Sequence, residues 1–173
     1  MNNTKTQKLY ADFPQLYREA TSEHSMMKFG FDCNDGWFDL IYKLSADIEA
    51  EAKVLGLDPD SDGWPKAIQV KEKFGTLKFY CDAGERCALP DGDLGLVPEV
   101  AGQLISFRPV PSIQSIRALI REAESSSAAI CEGCGRQGKM RKDGWWRVLC
   151  DDCEAERQKR KINDGSKYVD AND

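Results

Sequence analysis

Four of the seven cysteines in this 173-residue chain fall in one stretch, CEGCGRQGKMRKDGWWRVLCDDC, residues 131 to 153, as two C-x-x-C pairs. No other feature limits the fold as tightly. Thiols placed in this way form a disulfide staple, a redox couple or a metal site. No apolar leader follows MNNTKTQK, and no run of about 18 apolar residues occurs that would span a bilayer. The expected compartment is therefore the cytoplasm, with no membrane partner. Thiols stay reduced there, and seven is an odd count for a disulfide framework. A thioredoxin-type couple uses a single C-x-x-C at a strand-to-helix junction, whereas here two pairs are separated by 15 residues.

That spacing is the one zinc uses. Two residues between paired cysteines make a tight knuckle that aims both sulfurs at one ion, and the intervening residues form a hairpin that brings the second pair opposite. Cys131, Cys134, Cys150 and Cys153 are the expected ligands of one structural zinc ion, and Gly133, Gly135 and Gly138 suit the knuckle. Four thiolates close the coordination sphere, where a catalytic zinc keeps a position for water. Zn²⁺ with four thiolates carries a formal charge of about −2. Arg136, Lys139, Arg141 and Arg147 lie in the same stretch to offset it.

Trp145, Trp146, Arg147, Val148 and Leu149 read as a strand leading to the second pair, and EAERQKRK after Cys153 is strongly helix-forming. A knuckle, a hairpin and a helix holding the last ligands make a treble-clef-like module. The alternative is a ribbon-like module followed by a disordered basic tail.

Upstream, the pattern predicts an α+β core built from helices and a hairpin. Asn34 or Asp35 begins a helix carrying Trp37, Leu40, Ile41, Leu44, Ile48 and Leu55 on one face, with Gly56 as its stop. AIQVKEKFGTLKFYC predicts two strands joined at Phe74-Gly75, with Ile68, Val70 and Glu72 on one face and Lys71 and Lys73 on the other. Lys71 and Lys73 are candidates for a charged edge that docks a partner. Ser112 caps a further helix with Ile113, Ile116, Leu119, Ile120 and Ala123 on one face, ending at Ser125-Ser126-Ser127. The expected division is a core over residues 1 to 128, a zinc module over 129 to 163 and a flexible tail over 164 to 173. Residues 84 to 111 hold four of the seven prolines and read as an insertion or long loop.

Charge weighs the partners. Residues 136 to 161 hold nine Lys/Arg against five Asp/Glu, and residues 162 to 173 one against three, so residues 1 to 135 carry −7 within the total of −5. An acidic body disfavours DNA wrapping, because nonspecific affinity comes from phosphate neutralisation. Arg157, Lys159, Arg160 and Lys161 are the residues best placed to touch nucleic acid, and four phosphate contacts would give a log–log salt slope of roughly −3.6.

Catalysis has little to build on. His24 is the only histidine, so no histidine-based triad or metal site extends beyond that one group. Asp60 with Gln69 and Lys71 faintly imitates the acidic-plus-lysine set of metal-dependent nucleases, but Asp58, Asp60 and Asp62 read better as a polar loop. Cys33, Cys81 and Cys87 match no knuckle spacing and read as structural thiols.

The order GWFDLI at 36 to 41, QVKEKFGTLKFY at 69 to 80, AESS at 123 to 126, then CEGCG and GWW-x-x-LC-x-x-C resembles a family of small proteins of tailed bacteriophages and prophages. The resemblance runs from about Leu9 to Cys153. Many members of that family end the zinc motif with histidine where this chain has Cys153, and relatives reach the last core helix through a short loop where this chain has residues 84 to 111. The resemblance implies zinc, a phage-type origin and action inside a bacterial host. The expectation is a non-enzymatic protein that binds or inhibits a host or phage protein, such as a host-defence component. A nucleic-acid accessory factor using the basic end is the alternative, and a metal-dependent nuclease stands third.

Overall fold

The computed structural model describes residues 1–23, 25–83 and 113–166, with side chains through Lys161. His24, Cys87, Ser112 and the segment 84 to 111 lie outside the described residues, as do 167 to 173. The fold is α+β.

Helix α1, Asn3–Asp12, starts where the Asn2 side chain accepts a hydrogen bond from the Lys5 backbone N–H at 2.9 Å, an N-cap that satisfies one orphan donor. It buries Thr6 and Leu9. Three 3-10 turns follow, at Arg18–Thr21, Met26–Phe29 and Asp35–Trp37, with the two-residue strand β1, Phe31–Asp32, between the second and third. The last turn leads directly into helix α2, Phe38–Val54. Ile41, Leu44, Ile48 and Ala52 recur at helical spacing and are buried, as the sequence pattern predicts. Leu55 does not continue the stripe and is 45% exposed, because the helix stops at Val54 and Gly56 turns the chain with φ of 70°.

Strands β2, Lys66–Lys73, and β3, Thr76–Asp82, pair antiparallel around the two-residue turn Phe74-Gly75. Both turn residues have positive φ, 53° and 77°, the backbone of the primed turns whose twist matches paired strands. Leu77, Phe79 and Cys81 alternate inward. In β2 the expected inward set is shifted: Ala67 and Val70 are buried and Ile68 is only half-buried, since a bulge between Ala67 and Gln69 inserts one residue. β1 adds in parallel to β2, with Phe31 opposite Val70 and Asp32 opposite Lys71. The sheet order is thus β1-β2-β3, and the strand bearing Lys71 and Lys73 is central, not an edge.

Helix α3, Gln114–Ser127, packs on α2 and on β3. Its buried residues Ile116, Ile120 and Ala123 match the predicted face, with Ile113 and Leu119 packed alongside. It also satisfies the open edge of the sheet. Leu77 N–H donates to Ser127 Oγ at 2.9 Å and Phe79 N–H to Glu124 Oε1 at 3.1 Å, while Lys78 pairs with Glu124 Oε2 at 2.9 Å. A helix standing on that edge removes the template for strand addition. The buried polar pair Tyr17 and Ser45 sits in the core, with 2.7 Å between the hydroxyls and Ser45 Oγ donating to Ile41 O at 2.8 Å.

The C-terminal part is a small antiparallel hairpin, β4 (Lys139–Arg141) and β5 (Arg147–Leu149), followed by helix α4, Asp151–Ser166. The stretch that the ribbon alternative makes a disordered tail is helical from Asp151, and the helix runs three residues past the boundary expected at 163. Trp145 and Trp146 precede the strand to which the sequence pattern assigns them, and lie exposed in the β4–β5 loop.

Candidate metal centre

Cys131 is placed by a tight turn. Its carbonyl accepts from Gly135 N–H at 2.8 Å, its own N–H donates to Arg136 O at 2.7 Å, and Gly138 N–H donates to Ala129 O at 2.8 Å. Gly135 has φ of 80°, which a side chain would resist. Cys150 directly precedes α4, and Cys153 lies in the first turn of that helix, where its N–H donates to Cys150 Sγ at 3.4 Å. The knuckle, the hairpin and the helix N-terminus bring the four sulfurs of Cys131, Cys134, Cys150 and Cys153 within 4.8 Å of one another. Cys134 and Cys150 are the close pair at 3.6 Å. A tetrahedral ion with metal–sulfur bonds of about 2.3 Å has sulfur–sulfur edges of about 3.8 Å, so the cluster has the size of a single metal site. Its four donors are all thiols, which suits a soft or borderline metal and leaves no protein-free position at the ion. Among the described residues this is the one group of three or more His, Cys, Asp and Glu with ligand atoms gathered in this way.

The surrounding charges divide their work. Arg136 donates to Cys134 Sγ at 3.4 Å and to Cys150 Sγ at 3.6 Å, and pairs with Asp152 at 2.8 Å. Its guanidinium holds the Cys134 thiol down at about 6, toward the thiolate a metal requires. Lys139 and Arg141 pair instead with Asp151, at 2.9 and 2.6 Å, and together, Arg141 first, hold its carboxyl at about 2. These pairs tie β4 to the acidic first turn of α4, where negative charge also meets the positive end of the helix dipole. Replacing Arg136 with Glu is expected to weaken metal retention by at least about tenfold in competition with a chromogenic chelator, the usual effect of losing an outer partner of a metal ligand. An unchanged competition curve would show that Arg136 only decorates the surface.

The cysteine module is joined to the core by contacts that spacing does not reveal. Glu132, between the first two cysteines, is buried, and its Oε1 accepts from the Asn34 backbone N–H at 3.1 Å and from Asn34 Nδ2 at 2.9 Å. Burial raises its carboxyl above the usual range. Gly36 N–H donates to Glu132 O at 2.8 Å, and fully buried Trp37 donates from Nε1 to Ile130 O at 2.9 Å. A Cβ on Gly36 would lie 2.5 Å from Gly135 N and 2.6 Å from Glu132 O, and closer still to the Cys131 carbonyl. The turn before α2 therefore touches the backbone of the knuckle itself. The only sign of this in the sequence is a glycine preceding a core tryptophan, a pair of residues that in itself points to no particular contact.

The remaining candidates are scattered. Lys71 and Lys73 lie on the outer face of β2, with their ammonium groups over the rings of Tyr80 and Phe74 at 5.5 and 5.3 Å. On α4, Arg157 pairs with buried Glu154 at 2.7 Å and Arg160 with Glu156 at 3.5 Å, so among the described residues Lys159 and Lys161 are the cations of that run outside an ion pair. Asp58 and Asp60 belong to an exposed turn in which Asp60 N–H donates to Asp58 Oδ1 at 3.0 Å. Burial pushes the Cys33 thiol up to about 12 and raises that of Cys81 as well, and neither belongs to the group of gathered ligand atoms among the described residues.

Fold and site together define an α+β protein with a C-terminal four-cysteine module of zinc-binding type. No protein-family model matches the chain, and the comparisons with curated proteins and with solved structures return no match. Among the described residues, no helix is long and apolar enough to cross a membrane.

Proposed function

We propose that the chain is a non-enzymatic, zinc-stabilised interaction protein of tailed-phage type that binds or inhibits a protein of the bacterial host, such as a defence component. The closed four-thiol cluster carries this reading: it is sized for one zinc ion and offers no open position for a substrate or for a water nucleophile. The phage-type origin and the host partner rest on the resemblance in the core and cysteine motifs. A nucleic-acid role at the basic end is disfavoured by the pairing of Arg157 and Arg160 with glutamates, which leaves two cations outside ion pairs among the described residues of a run that offers four. Two phosphate contacts correspond to a salt slope of roughly −1.8, too little for useful affinity beside a body of −7.

Capture from bacterial lysate with the tagged protein, with excess untagged protein as competitor, is expected to retain one competed host protein. Duplex DNA in a retardation assay at physiological salt is expected not to shift. Micromolar retardation abolished by alanine at Arg157, Lys159, Arg160 and Lys161 would instead establish the nucleic-acid role. Mg²⁺-dependent cleavage lost on Lys71→Ala would establish a nuclease.

A further inference from the structure

Two hairpin tips distant in sequence meet. The β2–β3 turn contributes Phe74 and the β4–β5 loop contributes Trp145 and Trp146, and these rings are 65%, 66% and 44% exposed. Phe74 and Trp146 stand nearly perpendicular, with centroids 6.3 Å apart and planes at 67°. Glu72 fastens the two tips, accepting Gly75 N–H at 2.5 Å and Trp145 Nε1–H at 2.8 Å. Three large, exposed rings are thus brought together.

These contacts join the cysteine module to the core hairpin, yet they leave most of the surface of Phe74 and Trp145 in solvent. Phe74 has φ of 53°, a left-handed conformation that is uncommon for a bulky residue and favours Asn or Gly in such a turn. Its ring gains little burial in return. An exposed aromatic in a strained turn, beside two exposed indoles, is the kind of surface on which another molecule can dock. Acids lie here too, with Glu72 already bonded to Gly75 and Trp145 and Asp143 in the same loop as the indoles, but the cations over the rings are unpaired. Lys73 lies over Phe74, Lys142 over Trp146 at 4.8 Å, and Lys71 over Tyr80 on the same outer face, and among the described residues none of the three is in an ion pair.

We propose that this aromatic notch is the docking surface for a protein segment that carries a large apolar anchor flanked by Asp or Glu. The proposal rests on the interaction reading above and names its surface. The anchor packs in the angle between Phe74 and Trp146, and the flanking carboxylates meet Lys73 and Lys142, giving an aromatic centre with a charged rim. Single-stranded nucleic acid fits less well. Consecutive bases would have to unstack to lie flat on two rings set at 67°, and the acidic body repels a polyanion.

A displayed random-peptide library panned on the full-length metal-loaded protein tests this. Enriched peptides are expected to hold one large apolar residue between acidic ones and to shield Trp145 and Trp146 from iodide quenching. Their binding should weaken at least tenfold with Trp146→Ala or Lys142→Glu, at unchanged metal content. Phe74→Asn separates docking from folding: it should raise the thermal midpoint by about 2 °C by relieving the turn while weakening peptide binding at least tenfold. Peptides bound elsewhere, insensitive to all three variants, would overturn the surface and leave the interaction reading intact. Failure to enrich any peptide would overturn the surface alone, provided that lysate capture still retains a host protein. Tighter binding of oligothymidylate through these rings would replace the protein occupant with nucleic acid, and a dimer dissociated by Trp146→Ala would replace it with a second copy of the chain.

Discussion

Protein purified without chelator is expected to contain one zinc per chain, and stripping it, or replacing Cys131 or Cys150 with Ser, is expected to unfold more than residues 131 to 153. A structural four-cysteine zinc supplies about 10–16 kcal/mol of local folding free energy, which equals or exceeds the whole stability of an ordinary domain of about 5–15 kcal/mol. Here that energy is not confined to the module. The knuckle is hydrogen-bonded to Asn34, Gly36 and Trp37, so its loss leaves the Trp37 indole and the Asn34 amide without partners beside the core. Far-UV and near-UV circular dichroism during chelation should fall together in a single transition. Two well-separated transitions, with the core surviving metal loss, would mean that the contacts between the two parts contribute little. Absence of stoichiometric metal would remove the zinc assignment itself.

Gly36→Ala is expected to be among the most damaging single-methyl additions in the chain. The added Cβ would overlap the Cys131 carbonyl, Gly135 N and Glu132 O, all backbone atoms that cannot rotate away as a side-chain tip could. Forced repacking of this kind costs about 3 kcal/mol. Because the atoms displaced belong to the knuckle, zinc affinity should fall as well, in proportion to the distortion of Cys131 and Cys134. Chemical denaturation and chelator competition on the same sample measure both effects. Gly56→Ala is the control: its φ is positive, at 70°, but nothing lies within 4 Å of its added Cβ, so it should lower stability by about 1 kcal/mol and leave metal binding unchanged. Equal effects from the two substitutions would show that contact with the knuckle is not what makes Gly36 sensitive.

The parts of this protein readable in its sequence are those set by local periodicity and spacing. The C-x-x-C pairs and their 15-residue separation determine a shared metal site, because a knuckle and a hairpin are local structures that need no information from the rest of the chain. The apolar stripe of α2, the face of α3 and the alternation in β3 follow from the same kind of rule, since a face repeated at 3.6 or 2 residues must be buried somewhere. Prediction fails where a single residue resets the count. The bulge after Ala67 moves the buried position in β2 from Ile68 to its neighbour, and the two-residue strand Phe31–Asp32 is too short to carry any period, so Lys71 stands between two paired strands and Lys73 at the hairpin tip beyond them.

Contacts between segments far apart in the chain come from packing alone. Local pattern is enough for four thiols to gather and for an α+β core to form. Packing decided that Gly36 and Asn34 lie on the knuckle about a hundred residues away, that Arg157 and Arg160 pair with Glu154 and Glu156, and that Phe74 meets Trp146. The physical reason is that a hydrogen bond or ring contact between distant segments depends on the placement of whole elements. That placement is set by the sum of all their buried faces, and no local window of residues contains it.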